Sequence, residues 1–447
     1  MVALPSDGGP DGLSSANIHD IFQDSFGNMW IGNISDGIDF ISRSQPEFGL
    51  LPYCTTENNY VKGKPVWSLY TDSDGCVWGG GQNEVVVFEG NKLRRTYSLS
   101  PHLKSPRGYI CAMIRIGDEM LLSSFEDGIL SLDIAGGNVR RISRPDNNNY
   151  ANCFAVMPDG KVYIGMQGSL WEYADGELRK NERLTTETAW LNPNGIVADR
   201  RGRLWIGTYG DGIFIFDRNG NRVDHLDSDH GLSSNAVKQL FVDSENGLWV
   251  AGVDGLSHIA DMSDPHTIVS YGYESGLNDI HIRSLHEDSA GNIWFCTNNG
   301  IAKLDRSTSK IENYDRRDGL PYSTFMDRAA CRTPDGRLYF GSLNGICSFW
   351  PEHFPKAEER VPVRIVECMN VLSPKEQPTV AGPGTSGEIK IPYNRNSLRI
   401  VFSVPDYSQS RIAEYSYLVE GLDNDWVMSG REHEATLRNL SPGRYVF

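Results

Sequence analysis

Asp199-Arg-Arg-Gly-Arg-Leu-Trp205-Ile-Gly207 is one copy of a motif that returns through most of the chain. Its clearest copies begin with Asp at positions 24, 72, 199, 243, 288 and 335, and weaker copies lie at Asp159 and around Leu121. The Trp of the motif, or the residue in its place, falls at 30, 78, 121, 163, 205, 249, 294 and 339, so neighbouring copies are 42 to 48 residues apart. A period of about 40–45 residues built from short strands is typical of a β-propeller, whose blades are four-stranded sheets.

One repeat shows how such a sheet is encoded. Residues 236–242 begin a strand, 243–247 form a turn, 248–252 and 256–259 are two further strands, and a fourth follows near 267–271. Asp opens the turn because its carboxylate can accept hydrogen bonds from backbone N–H groups two residues on. Asp-Gly or Asn-Gly then recurs between the second and third strands, which is a strong hairpin signal. Because the Trp recurs at the same place in the second strands, we expect its ring to be buried against the neighbouring blade.

Composition agrees with this reading and narrows the class of partner. The 447 residues include 46 Gly and 22 Pro, which suits a chain with many turns. The net charge of −16 disfavours binding to nucleic acid or to anionic lipid. No run approaches the roughly eighteen apolar residues that a membrane span requires. The eight Cys lack Cys-x-x-Cys spacing, and we expect most of them to be small buried residues of open disulfide status.

Both ends of the sequence look truncated. Residues 1–10 contain no basic region followed by an apolar region, so no signal peptide is predicted. A repeat begins almost at once, at Gly12, and residues 443–447 read as the start of a strand. We therefore expect the chain to be an internal piece of a larger protein.

Two stretches resemble known modules. Gly231-Leu-Ser-Ser-Asn-Ala-Val237 and Arg203-Leu-Trp-Ile-Gly-Thr208 are similar, almost letter for letter, to the two-component-regulator propeller repeat. After the last repeat come Tyr415, Tyr417, Trp426 and Leu440-Ser-Pro-Gly-Arg-Tyr445. This region resembles the Tyr-rich Y_Y_Y module, a small immunoglobulin-like β-sandwich that follows these propellers in bacterial sensors. In this order the two resemblances cover nearly the whole chain.

The resemblance implies a function and a location. It implies the periplasmic sensor region of a hybrid two-component regulator, of the type that many gut Bacteroidetes use to detect glycan fragments. The implied ligand is an oligosaccharide, and the implied partner is a second copy of the chain, held through the C-terminal module. The family pattern also includes a first propeller, a membrane helix, a histidine kinase and DNA-binding parts. We expect this segment to meet the membrane only through a downstream span.

Eight repeats leave two ring sizes open. We predict that residues 1–45 are the last blade of a truncated preceding propeller, that 46–352 form a seven-bladed β-propeller, and that 360–447 are an incomplete β-sandwich. The first spacing, 48 residues, is the odd one, and no fourth strand follows Trp350. Residues 48–53 would then pair with the strand near Ile346 to close the ring. One eight-bladed ring is the alternative.

The sequence lacks common catalytic motifs. The sequence has no His-Glu-x-x-His, no Gly-x-Ser-x-Gly and no phosphate-binding Gly loop. Asp72-Ser-Asp-Gly75 resembles the start of a calcium loop, but the later carboxylates of such a loop are missing. We therefore predict no catalytic residue, no metal site and no cofactor. Two alternatives stay open: a lyase or glycosidase that assembles scattered acids at the central funnel, and a protein-interaction scaffold.

Ligand contacts are expected on the face that carries the loops before each innermost strand. In blades three to five these loops depart most from the repeat, and they carry aromatic, amide and guanidinium groups. Such groups stack on sugar rings and bind hydroxyl or carboxylate groups. The predicted ligand-binding residues are Arg107, Tyr109, Tyr150, Asn152, Trp190 and Asn194. For each of them the alternative is a structural role, in which the aromatic rings plug the channel and the amides cap turns.

Overall fold

The computed structural model describes residues 13–35, 37–42, 47–51, 53–57, 60–103, 108–142, 151–157, 160–188, 192–354, 363–371, 389–407, 413, 415–430 and 432–447. The chain forms two compact units. One unit is Pro46–His353, and the other combines Met1–Gln45 with Phe354–Phe447.

Four-stranded antiparallel sheets, seven of them among the described residues, build the unit 46–353. Sheet 1 consists of Ser68–Thr71, Val77–Gly80, Glu84–Glu89 and Lys92–Ser98. Sheet 2 consists of Ile110–Ile116, Glu119–Ser124, Gly128–Asp133 and Val139–Arg141. Sheet 3 consists of Ala151–Val156, Val162–Met166, Ser169–Ala174 and Glu177–Lys180. Sheets 4 and 5 consist of Pro193–Ala198, Leu204–Thr208, Ile213–Phe216 and Arg222–Leu226; and of Val237–Val242, Leu248–Gly252, Gly255–Ile259 and Ile268–Tyr271. Sheets 6 and 7 consist of Ser284–Glu287, Ile293–Thr297, Gly300–Leu304 and Ile311–Tyr314; and of Phe325–Arg332, Leu338–Ser342, Gly345–Phe349 and Gly49–Leu50.

The seven sheets close into a ring. The first strand of each sheet contacts the first strand of the next, and the first strand of sheet 7 contacts that of sheet 1. Gly49–Leu50 joins the two ends of this unit, because it pairs with the third strand of sheet 7 through Cys347 and Ser348. This is the pairing predicted for residues 48–53. A sheet built from both ends of the unit removes the free edges that an open stack would leave.

Short elements connect the sheets. A hairpin of Cys54–Glu57 and Tyr60–Gly63 precedes sheet 1, and the helix Glu182–Thr188 lies between sheets 3 and 4. Single 3₁₀ turns follow the last strands of sheets 4, 5 and 6, at Ser228–His230, Tyr273–Ser275 and Arg316–Asp318, and another, Pro351–His353, follows the third strand of sheet 7.

The recurring Gly-Leu pair ends three of these turns. Gly231 caps Ser228–His230 with a left-handed φ of 104°, and Gly276 caps Tyr273–Ser275 with a φ of 98°. Glycine adopts this conformation without the steric penalty that a Cβ would bring. The following leucines, Leu232 and Leu277, are buried and direct the chain into the next sheet. The Gly-Leu signal therefore marks the junction between neighbouring sheets.

A single carboxylate organises the turn between the first and second strands. In sheet 5, Asp243 Oδ1 accepts hydrogen bonds from the N–H of Glu245 at 3.0 Å and of Gly247 at 2.7 Å. Its Oδ2 accepts the indole N–H of Trp249 at 2.9 Å. The same Asp–indole bond, at 2.8 to 3.3 Å, joins Asp72 to Trp78, Asp199 to Trp205 and Asp288 to Trp294. The repeat needs its six-residue spacing because the carboxylate satisfies both the turn and a buried indole donor.

Burial of the repeated Trp is confirmed in the ring. Trp78, Trp205, Trp249 and Trp294 are all buried. In sheet 7, Thr333 stands six residues before Tyr339, and its hydroxyl donates to the Arg337 carbonyl at 3.1 Å. Asp335, four residues before Tyr339, also takes part in this turn, because its Oδ1 accepts from the Arg337 N–H at 3.5 Å. This copy therefore differs from the others in having Thr333 at the position six residues before the ring.

The described residues of the other unit form three small sheets. They are Ile18–Gln23 with Met29–Asn33 and Ile38–Ile41; Arg364–Asn370 with Leu398–Ser403 and Glu434–Leu437; and Tyr415–Tyr417 with Val427–Gly430. A 3₁₀ turn, Tyr393–Arg395, precedes Leu398–Ser403. The core includes Phe402, whose ring lies 5.5 Å from that of Tyr415 and 5.7 Å from that of Phe447.

The N-terminal sheet packs within this same unit. The Asn28 amide donates to Asp406 Oδ1 at 3.0 Å, and this bond is buried. Trp30 keeps the repeat's bond to Asp24 at 3.1 Å, and its ring lies 5.2 Å from that of Tyr407. Trp426, in contrast, is 61% exposed. The three domain boundaries and the number of blades stay predictions. The 18–41 sheet belongs to the unit that excludes residues 46–353, which is the division expected for seven blades.

The all-β propeller fold expected from the repeat is confirmed. The seven cysteines whose side chains the structure describes are free thiols, and all of them except Cys76 are buried. No helix among the described residues is long and apolar enough to span a bilayer.

Candidate functional site

One end of the ring is where the sheets differ from one another. The first strands run in a common direction around the central channel, so the residues just before them gather at one end, which we call the mouth. Loops between second and third strands reach the same end. Ile110 N–H donates to the Gly81 carbonyl at 3.1 Å, and Ile282 N–H donates to the Gly252 carbonyl at 3.0 Å. The Asp–Trp turns lie at the opposite end.

Bulges in several first strands turn an extra side chain toward the channel. The pairing register shifts between Ile110 and Ala112, and equivalent shifts surround Asn152, Asn194 and Lys238. A bulge leaves one residue outside the ladder and re-aims its side chain, and bulges are frequent next to binding sites. The mouth is therefore lined by side chains of residues that lie outside the regular pairing of the strands.

Two predicted residues, Asn152 and Asn194, bind neighbouring backbone. The Asn152 amide donates to the Pro193 carbonyl at 3.3 Å, and the Asn194 amide donates to the Val237 carbonyl at 3.0 Å. Both side chains are buried. Their amides therefore connect successive first strands around the channel, which agrees with the structural alternative for these two residues. Their role in binding a ligand stays a prediction.

Tyr109, a third predicted residue, is the middle ring of an aromatic stack. Its ring centroid lies 4.8 Å from that of Trp67 and 4.8 Å from that of Phe125, with interplanar angles of 24° and 12°. Trp67 and Tyr109 precede the first strands of sheets 1 and 2, so the stack lies at the mouth. Because both faces of Tyr109 are covered, a sugar would meet the stack at its edges or through the outer rings.

Arg107, Tyr150 and Trp190 lie outside the described residues. Tyr150 directly precedes the first strand of sheet 3, the place that Trp67 and Tyr109 hold in sheets 1 and 2. Tyr209, on a loop of sheet 4, is 50% exposed at the mouth. The ammonium group of Lys238 lies 5.0 Å from the centre of the Tyr209 ring.

A charged cluster on sheets 5, 6 and 7 is the part of the mouth that the sequence did not predict. Asp327 Oδ2 accepts from Lys238 Nζ at 2.9 Å, and Asp327 Oδ1 accepts from Arg283 Nη1 at 3.1 Å. Arg283 Nε also donates to Asn298 Oδ1 at 2.7 Å. One carboxylate thus holds two cations at the mouth of the channel.

Arg328 reaches across the channel from sheet 7. It belongs to an irregular stretch of the first strand, where the register shifts between Phe325 and Ala330. Its guanidinium donates through Nη1 to Asn194 Oδ1, in sheet 4, at 3.1 Å. The positive charge of Arg328 also acts on the buried thiols of Cys111 and Cys153, in sheets 2 and 3. This one side chain therefore acts on three sheets on the far side of the ring.

Burial and charge shift the pKa values of groups at the mouth. Burial alone would raise the pKa of Asp327, but the hydrogen bond and charge of Lys238, together with Arg328 and Arg283, hold it below the usual value. Burial lowers the pKa of His281, and Lys238 and Arg283 lower it further. At neutral pH, Asp327 is therefore ionised and His281 is uncharged.

The arrangement is suited to binding an anion or a polyol. Burial raises the pKa of Cys111 and of Cys153 to about 12, so neither thiol is ionised at neutral pH, and both are poor nucleophiles. No group of three His, Cys, Asp or Glu side chains in the described part of the chain is placed to hold a metal ion. The groups at the mouth that can bind a ligand are therefore mainly guanidinium groups and aromatic rings.

Family models match both kinds of module. The two-component regulator propeller model matches residues 12–35, 191–210 and 276–299. The Y_Y_Y domain model matches residues 406–447. These matches confirm the repeat and the C-terminal module predicted from the sequence.

Similar proteins include signalling sensors and their extracellular domains. A histidine kinase of Formosa agariphila is 22% identical over 303 residues, which cover 55% of this chain and 22% of the relative. The extracellular domain of a hybrid two-component system from B. thetaiotaomicron is 28% identical with a TM-score of 0.77, over 97% of this chain and 59% of that domain. The chain thus spans 59% or less of these relatives. The matches support a sensor role.

Propeller enzymes share the fold at lower identity. An inactive virginiamycin B lyase from Staphylococcus aureus is 15% identical with a TM-score of 0.53, over 68% of this chain and 99% of the lyase. At this identity the likeness concerns the fold alone.

Proposed function

We propose that this chain, which carries two-component regulator propeller repeats followed by a Y_Y_Y domain, is the ligand-sensing region of a hybrid two-component signalling protein. The observation that carries the proposal is the order of these two modules, together with 28% identity over 97% of the chain to such an extracellular domain. The segment binds its ligand without turnover, outside the cytoplasm and in the periplasm. The full-length protein passes the signal to a histidine kinase.

The ligand in this proposal is an oligosaccharide at the mouth of the ring. Aromatic groups at Trp67, Tyr109 and Phe125 lie on one side of the mouth, and the cations of sheets 5 to 7 lie on the other. Sugars offer apolar C–H faces and hydroxyl groups, which rings and guanidinium groups can bind together. The six residues predicted from the sequence remain candidates for this contact: Arg107, Tyr109, Tyr150, Asn152, Trp190 and Asn194.

The C-terminal module carries the signal onward in this proposal. Met428 and Trp426 are exposed on the strand pair that contains Val427–Gly430. Exposed apolar side chains of this size suit a protein contact. We propose that a second copy of the chain packs here, so that ligand binding in the ring changes the pairing of two copies. Mass measurement by analytical ultracentrifugation, with Trp426→Ala compared with the parent, tests this dimer.

Calorimetric titration of the 447-residue chain against acidic and neutral oligosaccharides tests ligand binding. We expect one class to bind, and we expect Tyr109→Ala, Trp190→Ala and Arg107→Ala each to weaken binding. Tyr393→Ala is the matched control, because this aromatic residue is 84% exposed in the other unit.

The outcomes of this titration separate the alternatives. Affinity that all three variants leave unchanged would place the ligand elsewhere. Chromatography of the sugars after incubation shows whether any oligosaccharide is shortened. Shortening would favour the lyase or glycosidase alternative.

A further inference from the structure

Three cations at the mouth act on one carboxylate. Lys238 and Arg283 donate to Asp327, and the charge of Arg328 also acts on it. The Asp327 carboxylate is already shared between Lys238 and Arg283. This excess of positive charge lies in a chain whose net charge is −16. A local cationic site in an acidic protein attracts anions that the rest of the surface repels.

Arg328 is held in a conformation that the sheet does not require. Its φ is 62°, in the left-handed region that non-glycine residues rarely adopt. Such backbone is strained and persists where surrounding structure imposes it, often at binding sites. Here the Arg328 N–H donates to the Arg283 carbonyl at 3.0 Å. The bulge therefore places two arginines of neighbouring sheets next to each other at the channel.

The Arg328 guanidinium has a neutral partner and an unmet donor. Its Nη1 binds the amide oxygen of Asn194, and its buried Nε has no hydrogen-bond partner among the described residues. Buried donors are almost always paired, and a guanidinium forms its strongest bonds with a carboxylate or another anion. An anionic group that reached Arg328 would supply a charged acceptor that the protein does not.

Lys238 and Arg283 complete the site from the side of the mouth. The Lys238 side chain is 12% exposed and the Arg283 side chain 27% exposed, so both are shielded from water but open to the mouth. Charge interactions are stronger at such partly buried positions than at the surface, because water screens them less. The three cations reach the channel from the first strands of sheets 5, 6 and 7 or from the residue before them.

We propose that the mouth recognises an anionic sugar, a uronate or a sulfated residue, through Arg283, Lys238 and Arg328. This inference rests on the proposed function, because it names the chemical class of the oligosaccharide. The negatively charged group binds the cationic side of the mouth, and the rest of the oligosaccharide extends toward the stack of Trp67, Tyr109 and Phe125.

Three trisaccharides of matched length test the charge. Trigalacturonic acid carries carboxylates, its methyl ester has lost these charges, and a sulfated galactotriose carries a different anion. Titration calorimetry of the 447-residue chain should show trigalacturonic acid or the sulfated trisaccharide binding at least about tenfold more tightly than the methyl ester. The stronger of the two identifies the anion.

Variants assign the binding to this site. Arg283→Met and Lys238→Met should each weaken binding of the anionic trisaccharide about tenfold, and Arg283→Lys should restore part of it. The control is Arg306→Met, because Arg306 lies at the opposite end of the ring, with Asp243, Glu245 and Glu287. Circular dichroism of each variant shows whether the ring is folded, and Arg283→Lys keeps the test valid if a Met variant unfolds.

Each result separates this inference from the proposed function. Equal affinity for the methyl ester and the anionic trisaccharides, or full affinity in both Met variants, would overturn the anionic site while leaving a sugar sensor intact. Binding by no trisaccharide in this set, charged or neutral, would overturn the glycan ligand and this inference together.

Discussion

The two ends of the ring use the same strands in different ways. At one end, the carboxylates of Asp72, Asp199, Asp243 and Asp288 make the same bond to an indole in four sheets. At the mouth, the bulged first strands carry the Cys111 thiol in sheet 2, the amides of Asn152 and Asn194 in sheets 3 and 4, the Lys238 ammonium group in sheet 5 and the Arg328 guanidinium group in sheet 7. Repetition thus marks the end that stabilises each sheet, and variation marks the end where a ligand would bind.

Trp205→Ala tests the stabilising end and should have the largest effect. Trp205 is fully buried in the ring, and truncating such a side chain costs about 3–5 kcal/mol. Urea unfolding followed by circular dichroism measures the change in the free energy of unfolding. Tyr273→Ala is the control, because that side chain lies in the same ring, is 63% exposed and should change stability by less than about 1 kcal/mol. Equal stability of Trp205→Ala and the parent would refute the proposed role of the repeat.

Asp243→Ala should destabilise the ring by about 1–3 kcal/mol, because it leaves a buried indole donor and two turn N–H groups without their acceptor. Asp229→Ala, at an exposed turn, is the control. The same urea experiment applies, and a loss no larger than in Asp229→Ala would contradict the role of the carboxylate.

The Asp243 carboxylate should also make the stability of the ring depend on pH in acid. Burial alone would raise the pKa of Asp243, but the nearby His258 ring at 3.7 Å, hydrogen bonds from Trp249 and Gly247, and the charge of Arg306 hold it below the usual 3.8. A lowered folded-state pKa gives stability that is present above about pH 4 and is lost as the pH falls through the folded-state value. Below pH 4, parent stability should therefore fall more steeply than that of Asp243→Ala; parallel curves would contradict this.

Asn194→Ala tests whether the mouth also stabilises the ring. The substitution removes the bonds to the Val237 carbonyl and to Arg328, and we expect a loss of about 1–2 kcal/mol in urea unfolding. A larger loss than that of Asp243→Ala would reverse the comparison between the two ends. Asn219→Ala, at an exposed turn, is the matched amide control.

Tyr209→Ala should have the smallest effect on stability. This half-exposed ring loses a contact with the Lys238 ammonium group, which is worth about 0.5–1 kcal/mol at an exposed site. If the oligosaccharide binds at the mouth, Tyr209→Ala should reduce the free energy of binding by more than it reduces the free energy of unfolding. Unchanged affinity together with lost stability would assign Tyr209 to the fold instead.

Local signals in the sequence were sufficient to predict the propeller. Asp at the turn, Trp six residues later, and Gly-Leu between sheets each act over a few residues, so their spacing is visible in the printed chain. The strand pattern around Trp249 was predicted from these signals and is observed as Val237–Val242, Leu248–Gly252, Gly255–Ile259 and Ile268–Tyr271. The ring-closing pair of Gly49–Leu50 also followed from the repeat count.

The candidate site was predictable only in part. The sequence directed attention to the loops of blades three to five, because they break the repeat pattern. The cations Lys238, Arg283 and Arg328 lie instead in sheets whose preceding segments keep the regular Gly-Leu pair. A bulge changes the direction of a side chain, but it has no signal in the sequence, because a bulge depends on how two strands pair.

The fold could be predicted from local signals, since most repeats carry their own turn and their own buried ring. Which side chains meet at the mouth depends on contacts that form only when the ring closes. Asp327 and Lys238 are 89 residues apart, and Arg328 and Asn194 are 134 residues apart. Closing the ring brings these groups together, and no local spacing encodes such a meeting.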